Sequence, residues 1–395
     1  LRVEVFLAQS GDTVDASQLQ CSVITLGSVI NVSQNNLYLL GPGADSLTID
    51  GAAHSRVFNH SGSGTFAVNR LKVANGNGYL GGYNTSRGGC IGSIGNVSLS
   101  NSVISHCTVE TADSTPARGG AIYVAGNLSM ANSTIVGSHA YAAADSATGG
   151  GAWVQGNFTA TYSSINGNVA YDNNDAQSKA GGAFILGDAV IYGSTISENR
   201  SEASGGLAIS GGPVHTAQIV NSTISTNRSE VGSGGIWTNS PLTLIASTIA
   251  FNRQDQSESG AGLYSSNADL KVMSSIVADN VGTMGASDVG ASAGVQLTAT
   301  SSLIVQTSLS VGSGTIRTCP RLQPLSDNGG GTLTHAVSES SPAIDTGVNF
   351  LSLTNDQRFA TRDVGVYEDI GSVERQVGEI DDRRFVDGFD GLCDQ

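Results

Sequence analysis

Charge is scarce in this sequence: charged residues make up 13% of its 395 positions. A disordered chain carries more charge and more proline, and proline occurs only 7 times. Lysine is nearly missing, supplying only three of the 18 basic residues against 33 acidic ones. A phosphate-binding surface needs clustered Lys and Arg, so a formal net charge of -15 excludes nucleic acid and anionic membranes as partners. No run of 18 apolar residues exists, so the chain is not expected to be embedded in a membrane. None of Cys21, Cys90, Cys107, Cys319 and Cys393 forms a CxxC pair, which excludes a zinc ribbon or a dithiol redox centre. Oxidised pairing in an exported protein suits these cysteines better. Cys319–Cys393 is the pair expected, because both lie in the non-repetitive C-terminal part. No loop has the spacing of a helix-loop-helix calcium site. Calcium held by scattered carboxylates is the one cofactor left open. No signal peptide is visible, and the start at Leu1 without Met fits a mature exported form whose leader was removed.

Glycine, by contrast, is abundant, at 52 residues. Each interior Gly costs a helix about 1 kcal/mol relative to Ala, so the balance points to β-structure with many tight turns. The Gly residues recur in pairs: Gly88-Gly89, Gly119-Gly120, Gly149-Gly150, Gly181-Gly182, Gly205-Gly206 and Gly234-Gly235, with Ala261-Gly262 as a degenerate copy. Each pair is followed by apolar residues, then by a small polar pair, an Ile, two residues and an Asn slot. Ser194-Thr195-Ile196-Ser197-Glu198-Asn199 and Ser222-Thr223-Ile224-Ser225-Thr226-Asn227 are good copies. The slot holds Cys107, Ser138, Asn168, Asn199, Asn227, Asn252 and Asp279, in steps of 25 to 31 residues. Three short β-branched runs per step, punctuated by Gly and Asn, describe one coil of a solenoid. The expected fold is all-β: a single-stranded right-handed parallel β-helix with N- and C-terminal caps. Residues 1–30 are read as the N-terminal cap, 31–316 as the helix, 317–374 as the C-terminal cap and 375–395 as an acidic tail.

Gly119-Gly120-Ala121-Ile122 and Phe251-Asn252 resemble the GGAI and FxxN repeats of the polymorphic outer-membrane-protein family. A second stretch contains Pro324-Leu325-Ser326-Asp327-Asn328-Gly329-Gly330, Ser341-Pro342-Ala343-Ile344-Asp345-Thr346-Gly347, Asp356-Gln357-Arg358 and Asp369-Ile370-Gly371. It resembles the choice-of-anchor Q domain of secreted bacterial β-helix proteins. These resemblances imply a bacterial, secreted or cell-surface location and no particular reaction. The solenoid itself is of the pectate-lyase-like kind that houses many polysaccharide lyases and hydrolases. Neither a polygalacturonase nor a pectate-lyase signature occurs in the chain, so the analogy names no mechanism.

Three residues beyond the Asn slot stand Glu110, Tyr141, Tyr171, Glu202, Glu230 and Asp255. Stacked tyrosines flanked by acids suit a sugar-binding surface; a solvated turn is the plainer explanation. Arg200, Arg228 and Arg253 follow the Asn directly. Arg200 and Arg228 with Glu202 and Glu230 form the candidate catalytic set, in which an arginine neutralises a uronate while a carboxylate acts as base or as one of a glycosidase pair. A structural ion-pair network is the alternative. Longer loops after Cys107, Ser138 and Asn168 carry Asp113, Arg118, Asp145, Asp172, Asp175 and Lys179. Asp145, Asp172, Asp175 and Lys179 join Tyr141 and Tyr171 as candidate substrate contacts. His106 and His139 read as ordinary surface histidines, and Trp153 and Trp237 as packing residues. The function expected is an extracellular, monomeric protein that binds and in one variant of the reading cleaves polysaccharide. A non-catalytic adhesin or spacer is the alternative.

Overall fold

The structure is a computed structural model and describes residues 1–78, 86–112, 115–173, 178–256, 260–283 and 288–380. The chain is a parallel β-solenoid with almost no helix. It divides into two compact units. The first is Leu1–Asp188 with Glu198–Ala208, and the second Ala189–Ser197 with Ile209–Gln395.

Each coil of the first unit contributes one strand to each of three parallel sheets. In one coil these are Leu128–Ala131 in the first sheet, Thr134–Val136 in the second and Ile122–Val124 in the third. Identical positions stack in columns, as a side-chain period of two requires of any in-register sheet. Leu37, Phe66, Val97, Leu128 and Phe158 form one buried column. Ile49, Val73, Ile104, Ile135 and Ile165 form another. The coils begin earlier than the expected end of the N-terminal cap. Thr13–Asp15 and Val23–Thr25 already pair in parallel with Leu37–Leu40 and Thr48–Asp50. Only the short helix Arg2–Leu7 departs from the pattern. Gln34 ties it down by donating to the carbonyls of Val5 and Ala8.

The turns rest on two polar ladders. Ser102 and Ser133 each donate their N–H to the hydroxyl of the next coil's serine, Ser133 and Ser163. Cys107 donates to Ser138, Ser138 to Asn168 and Asn168 to Asn199 in the same way. Left-handed backbone, which an Asn slot in a turn would suit, falls one residue before it, at His106, Gly137, Gly167 and Glu198. The Asn works instead through its side chain, which satisfies buried peptide groups that the bend leaves unpaired. Gly120 has its own steric reason. A Cβ there would stand 2.1 Å from the Gly150 carbonyl oxygen of the next coil.

The second unit repeats this plan with Ala189–Tyr192, Ala217–Val220, Leu242–Ile245, Leu270–Met273 and Leu297–Thr300 in its first sheet. Its slot ladder runs Asn227, Asn252, Asn280 and then Asp288. The slot expected at Asp279 is therefore held by Asn280. Pairing of Ala250 with Ala278 sets that register, and Asp279 takes the left-handed position instead.

The segment expected as a cap lies along the outer face of the second sheet in this unit. Gln357, fully buried, donates to the hydroxyls of Thr195 and Thr332 and accepts from Thr223. Ser372 bonds Thr248, and His335 bonds Ser225. Arg362, 2% exposed, reaches Asn221 and the Gly371 carbonyl. Val337, Ala343 and Ile370 pack against Ile276, Ala278 and Leu303.

The structure joins Cys90 to Cys107. The bridge ties a residue just before a third-sheet strand to the Asn slot of its own coil. In the pair expected from sequence, Cys393 lies outside the described residues.

Candidate functional site

Beyond the Asn slot the first unit carries a fourth sheet of Thr108–Thr111, His139–Ala142, Val169–Asp172 and Arg200–Ser201. Its inward positions are small or short: Val109, Ala140, Ala170 and Ala142 pack with Ala117 and Ala147. The narrow core draws this sheet close and turns its alternate residues outward. Glu110, Tyr141 and Tyr171 fall in register on that outer face. The two tyrosine rings stack at 6.1 Å with an interplanar angle of 13°. Tyr171 is exposed, and the Tyr141 hydroxyl accepts a 2.6 Å hydrogen bond from Asn173. Because each ring covers part of its neighbour's face, the surface offered to a ligand is the ring edges, the hydroxyls and the outermost faces.

A cavity of about 370 Å³ opens where this row begins, lined by Asn75, Asn77, His106, Thr108 and Glu110 with Ala52, Ala53 and Gly76. Ala52 and Ala53 are both left-handed, at φ 51° and 57°. Such backbone is costly for residues with a Cβ and is held by its surroundings. Here Asp50 accepts the Ala52 N–H and the Asn75 carbonyl accepts the Ala53 N–H. His106 lies over Gly137, whose missing side chain leaves room for the ring. His139 pairs with Thr108 in the sheet. Burial lowers its pKa from the ordinary histidine value, the His106 charge adds to the fall, and Glu110 opposes it. The shift favours the neutral imidazole, which can accept a proton or a hydrogen bond. This gathering of two histidines and a glutamate was not read from sequence, because His106 and Glu110 belong to one coil and His139 to the next, and only the strand register sets them side by side.

The remaining sequence candidates are dispersed. Arg200 is exposed on the fourth sheet, but Glu202 is 4% exposed. Its oxygens accept the backbone N–H groups of Asp172 and Ser178 at 3.3 Å, so it holds the loop rather than facing solvent beside the tyrosines. Asp172 is likewise buried, at 1%. Asp145 is half-buried and accepts the Ser146 N–H. Lys179 is half-buried on a strand row beside Thr148, and Asp113 and Asp175 lie outside the described residues. Arg228 and Glu230 belong to the second unit. There Arg228 and Arg253 stack in register and share Asp255, at 2.6 and 2.7 Å. Against the effect of partial burial, hydrogen bonds from Arg253 and Arg228 hold Asp255 below the usual carboxylate range. That trio is a surface ion-pair network.

A second feature of the first unit lies on its third sheet. Tyr123, Trp153 and Phe184 stack as an outer column, with centroids 4.8 and 6.4 Å apart and interplanar angles of 8°. Arg87 lies over the Tyr123 ring at 4.9 Å and Arg118 over Trp153 at 5.2 Å. Trp153 is a packing residue, as read, but its packing partners include a guanidinium. Among the described residues, no three His, Cys, Asp or Glu side chains gather as a metal site would need. No helix there is long and apolar enough to cross a membrane.

Comparison of the chain with protein-family models, with curated proteins and with solved structures finds no match.

Proposed function

We propose that the protein binds polysaccharide outside the cytoplasm, with a glycan running along the Glu110–Tyr141–Tyr171 face of the first unit. The observation that carries this is the in-register tyrosine ladder opening beside a polar cavity. Aromatic edges and hydroxyls with nearby amide and carboxylate acceptors are what recognition of sugar rings and hydroxyls uses. A disulfide suits an oxidising compartment, and Cys90–Cys107 supports a secreted or cell-surface location. The test is a screen of neutral and acidic oligosaccharides followed by Tyr141→Ala/Tyr171→Ala. Affinity for a ligand found this way is expected to fall at least about tenfold, or roughly 1.4 kcal/mol. Unchanged affinity in that double variant would move the site elsewhere.

Cleavage is the second reading, favoured by His139 and Glu110 beside the cavity. An uncharged imidazole next to a carboxylate has the makings of a general base. It is tested by following unsaturated uronates and new reducing ends with wild type and His139→Gln. Binding without product, in every substrate screened, leaves an adhesin or spacer.

A further inference from the structure

We propose that Arg87 and Arg118 form an anion-binding strip that takes the carboxylates of a uronic-acid polysaccharide. Strand pairing sets Arg87 beside Arg118, and places Lys179 two rungs further on with Thr148 between. Adjacent rungs of a parallel sheet lie about 4.8 Å apart, so the two guanidinium groups repel each other. Among the described residues, Arg87 and Arg118 make no ion pair with a carboxylate. Arg87 donates to the Tyr123 hydroxyl at 3.3 Å, and both cations otherwise rest on aromatic rings. Arg56, buried nearby, gives its guanidinium to the Gly88 carbonyl and the Asn59 side chain. Burial first, and then the Arg87 charge, push its pKa down to about 10.

The second unit is the internal control. Its stacked pair, Arg228 and Arg253, shares Asp255. Where stacked arginines serve the fold, this chain provides a carboxylate; at Arg87 and Arg118 no described residue provides one, and the ligand does. A planar carboxylate matches the guanidinium fork. A uronic-acid chain carries one charge per ring, and Phe184, half-buried at the end of the aromatic column, offers its ring to a sugar face. A densely charged polyphosphate meets the long-range repulsion of a chain with net charge -15. The strip stands independently of the tyrosine reading.

The experiment titrates the full chain at low salt with oligogalacturonides and oligomannuronates. Neutral cello- and manno-oligosaccharides, inorganic phosphate and polyphosphate serve as comparison probes. One of the two acidic oligosaccharides is expected to bind more tightly than its neutral counterpart and to weaken as salt rises. Arg87→Met/Arg118→Met, which keeps the apolar stems over the rings, should weaken acidic binding about tenfold or more with an unchanged melting temperature and unchanged neutral binding. If that variant melts early, the single changes Arg87→Lys and Arg118→Lys decide, since each keeps the charge but loses the fork and should cost less affinity than Met. The proposal is overturned by any of three results: no preference for either acidic probe, unchanged acidic binding in a well-folded arginine variant, or phosphate or polyphosphate binding as tightly as the uronates. Loss of neutral binding in the tyrosine variant bears on the other face alone.

Discussion

The second sheet has two lives in this molecule. In the first unit its strands read Val103-Ile104-Ser105, Thr134-Ile135-Val136 and Ser164-Ile165-Asn166, and Val103, Thr134, Val136 and Asn166 are only half-buried. In the second unit they read Thr195-Ile196-Ser197, Thr223-Ile224-Ser225 and Thr248-Ile249-Ala250, and every outward residue is buried. The inward isoleucine is the same in both. The outward hydroxyls differ because the second unit bonds them to Gln357, Ser372, His335 and the Leu333 carbonyl. The first unit has a disulfide where the second has this strap. The comparison teaches that the solenoid core is common property, and that lateral fastening and recognition are written on its outer positions.

The largest effect is expected from breaking the strap. Arg362 is buried against Asn221, the Gly371 carbonyl and, at 3.8 Å, Glu374. Truncating it leaves the buried Asn221 and Gly371 oxygens without that donor, at about 1–3 kcal/mol each, and empties the space of a buried side chain, so Arg362→Ala should strip hydrogen-exchange protection from 223–225. Strands 134–136 should keep theirs; equal loss in both units would mean that the fastening is not local. Next comes the bridge. A loop closed over 17 residues is worth about 3 kcal/mol in the chain-entropy account. Cys90→Ser/Cys107→Ser should therefore loosen the first unit and leave the strap's protection intact.

The pH dependence should be smaller and confined to the second unit. Burial pushes the Glu374 carboxyl up to about 8; the Asp369 N–H bond and Arg362 oppose this, and the Asp369 and Glu368 charges add to it. A raised carboxyl pKa means that the folded state holds a proton the unfolded chain releases near its ordinary value of 4.5. The stabilisation is complete below that value and is lost as pH rises through about 8. Melting of the second unit should thus fall from about pH 4.5 to about pH 8 and level off above, and Glu374→Gln should flatten the fall. A profile that Glu374→Gln leaves unchanged would assign the titration to another group. The smallest stability effect belongs to the tyrosine double variant. It forfeits one ring stack, about 1 kcal/mol, and calorimetry showing a loss several times larger would make the tyrosines structural.

The solenoid was legible because its signal is periodic: Gly pairs, serines and asparagines at 25 to 31 residues announce coils whatever their details. The tyrosine row was legible for the same reason. What stayed hidden depends on register within a coil or on contacts without period. Asp279 and Asn280 differ by one residue, and only the pairing of Ala250 with Ala278 decides between them. Glu202 shares its slot number with Tyr171, yet the short turn after it folds its carboxylate onto the Asp172 and Ser178 amides. Cys107 occupies an asparagine position, so its sulfur points to Cys90 for reasons of stacking that no cysteine spacing conveys. The strap has no repeat at all, and its partners lie more than a hundred residues away in sequence.

The asparagine ladder of the second unit has a grammar. Each rung speaks in one direction: Asn227 gives its N–H to Asn252, Asn252 to Asn280, and Asn280 to Asp288. An amide can both receive and pass on, so a middle rung may be copied without offending its neighbours. The last rung is a carboxylate, whose oxygens receive from Asn280 and from the Gln306 N–H. It is a full stop. Lengthening this unit by duplicating the 25-residue coil between Asn227 and Asn252 should extend the sentence, whereas a coil inserted after Asp288 would meet a rung whose backbone N–H is already given to the Gln306 carbonyl and which has no side-chain amide beside it.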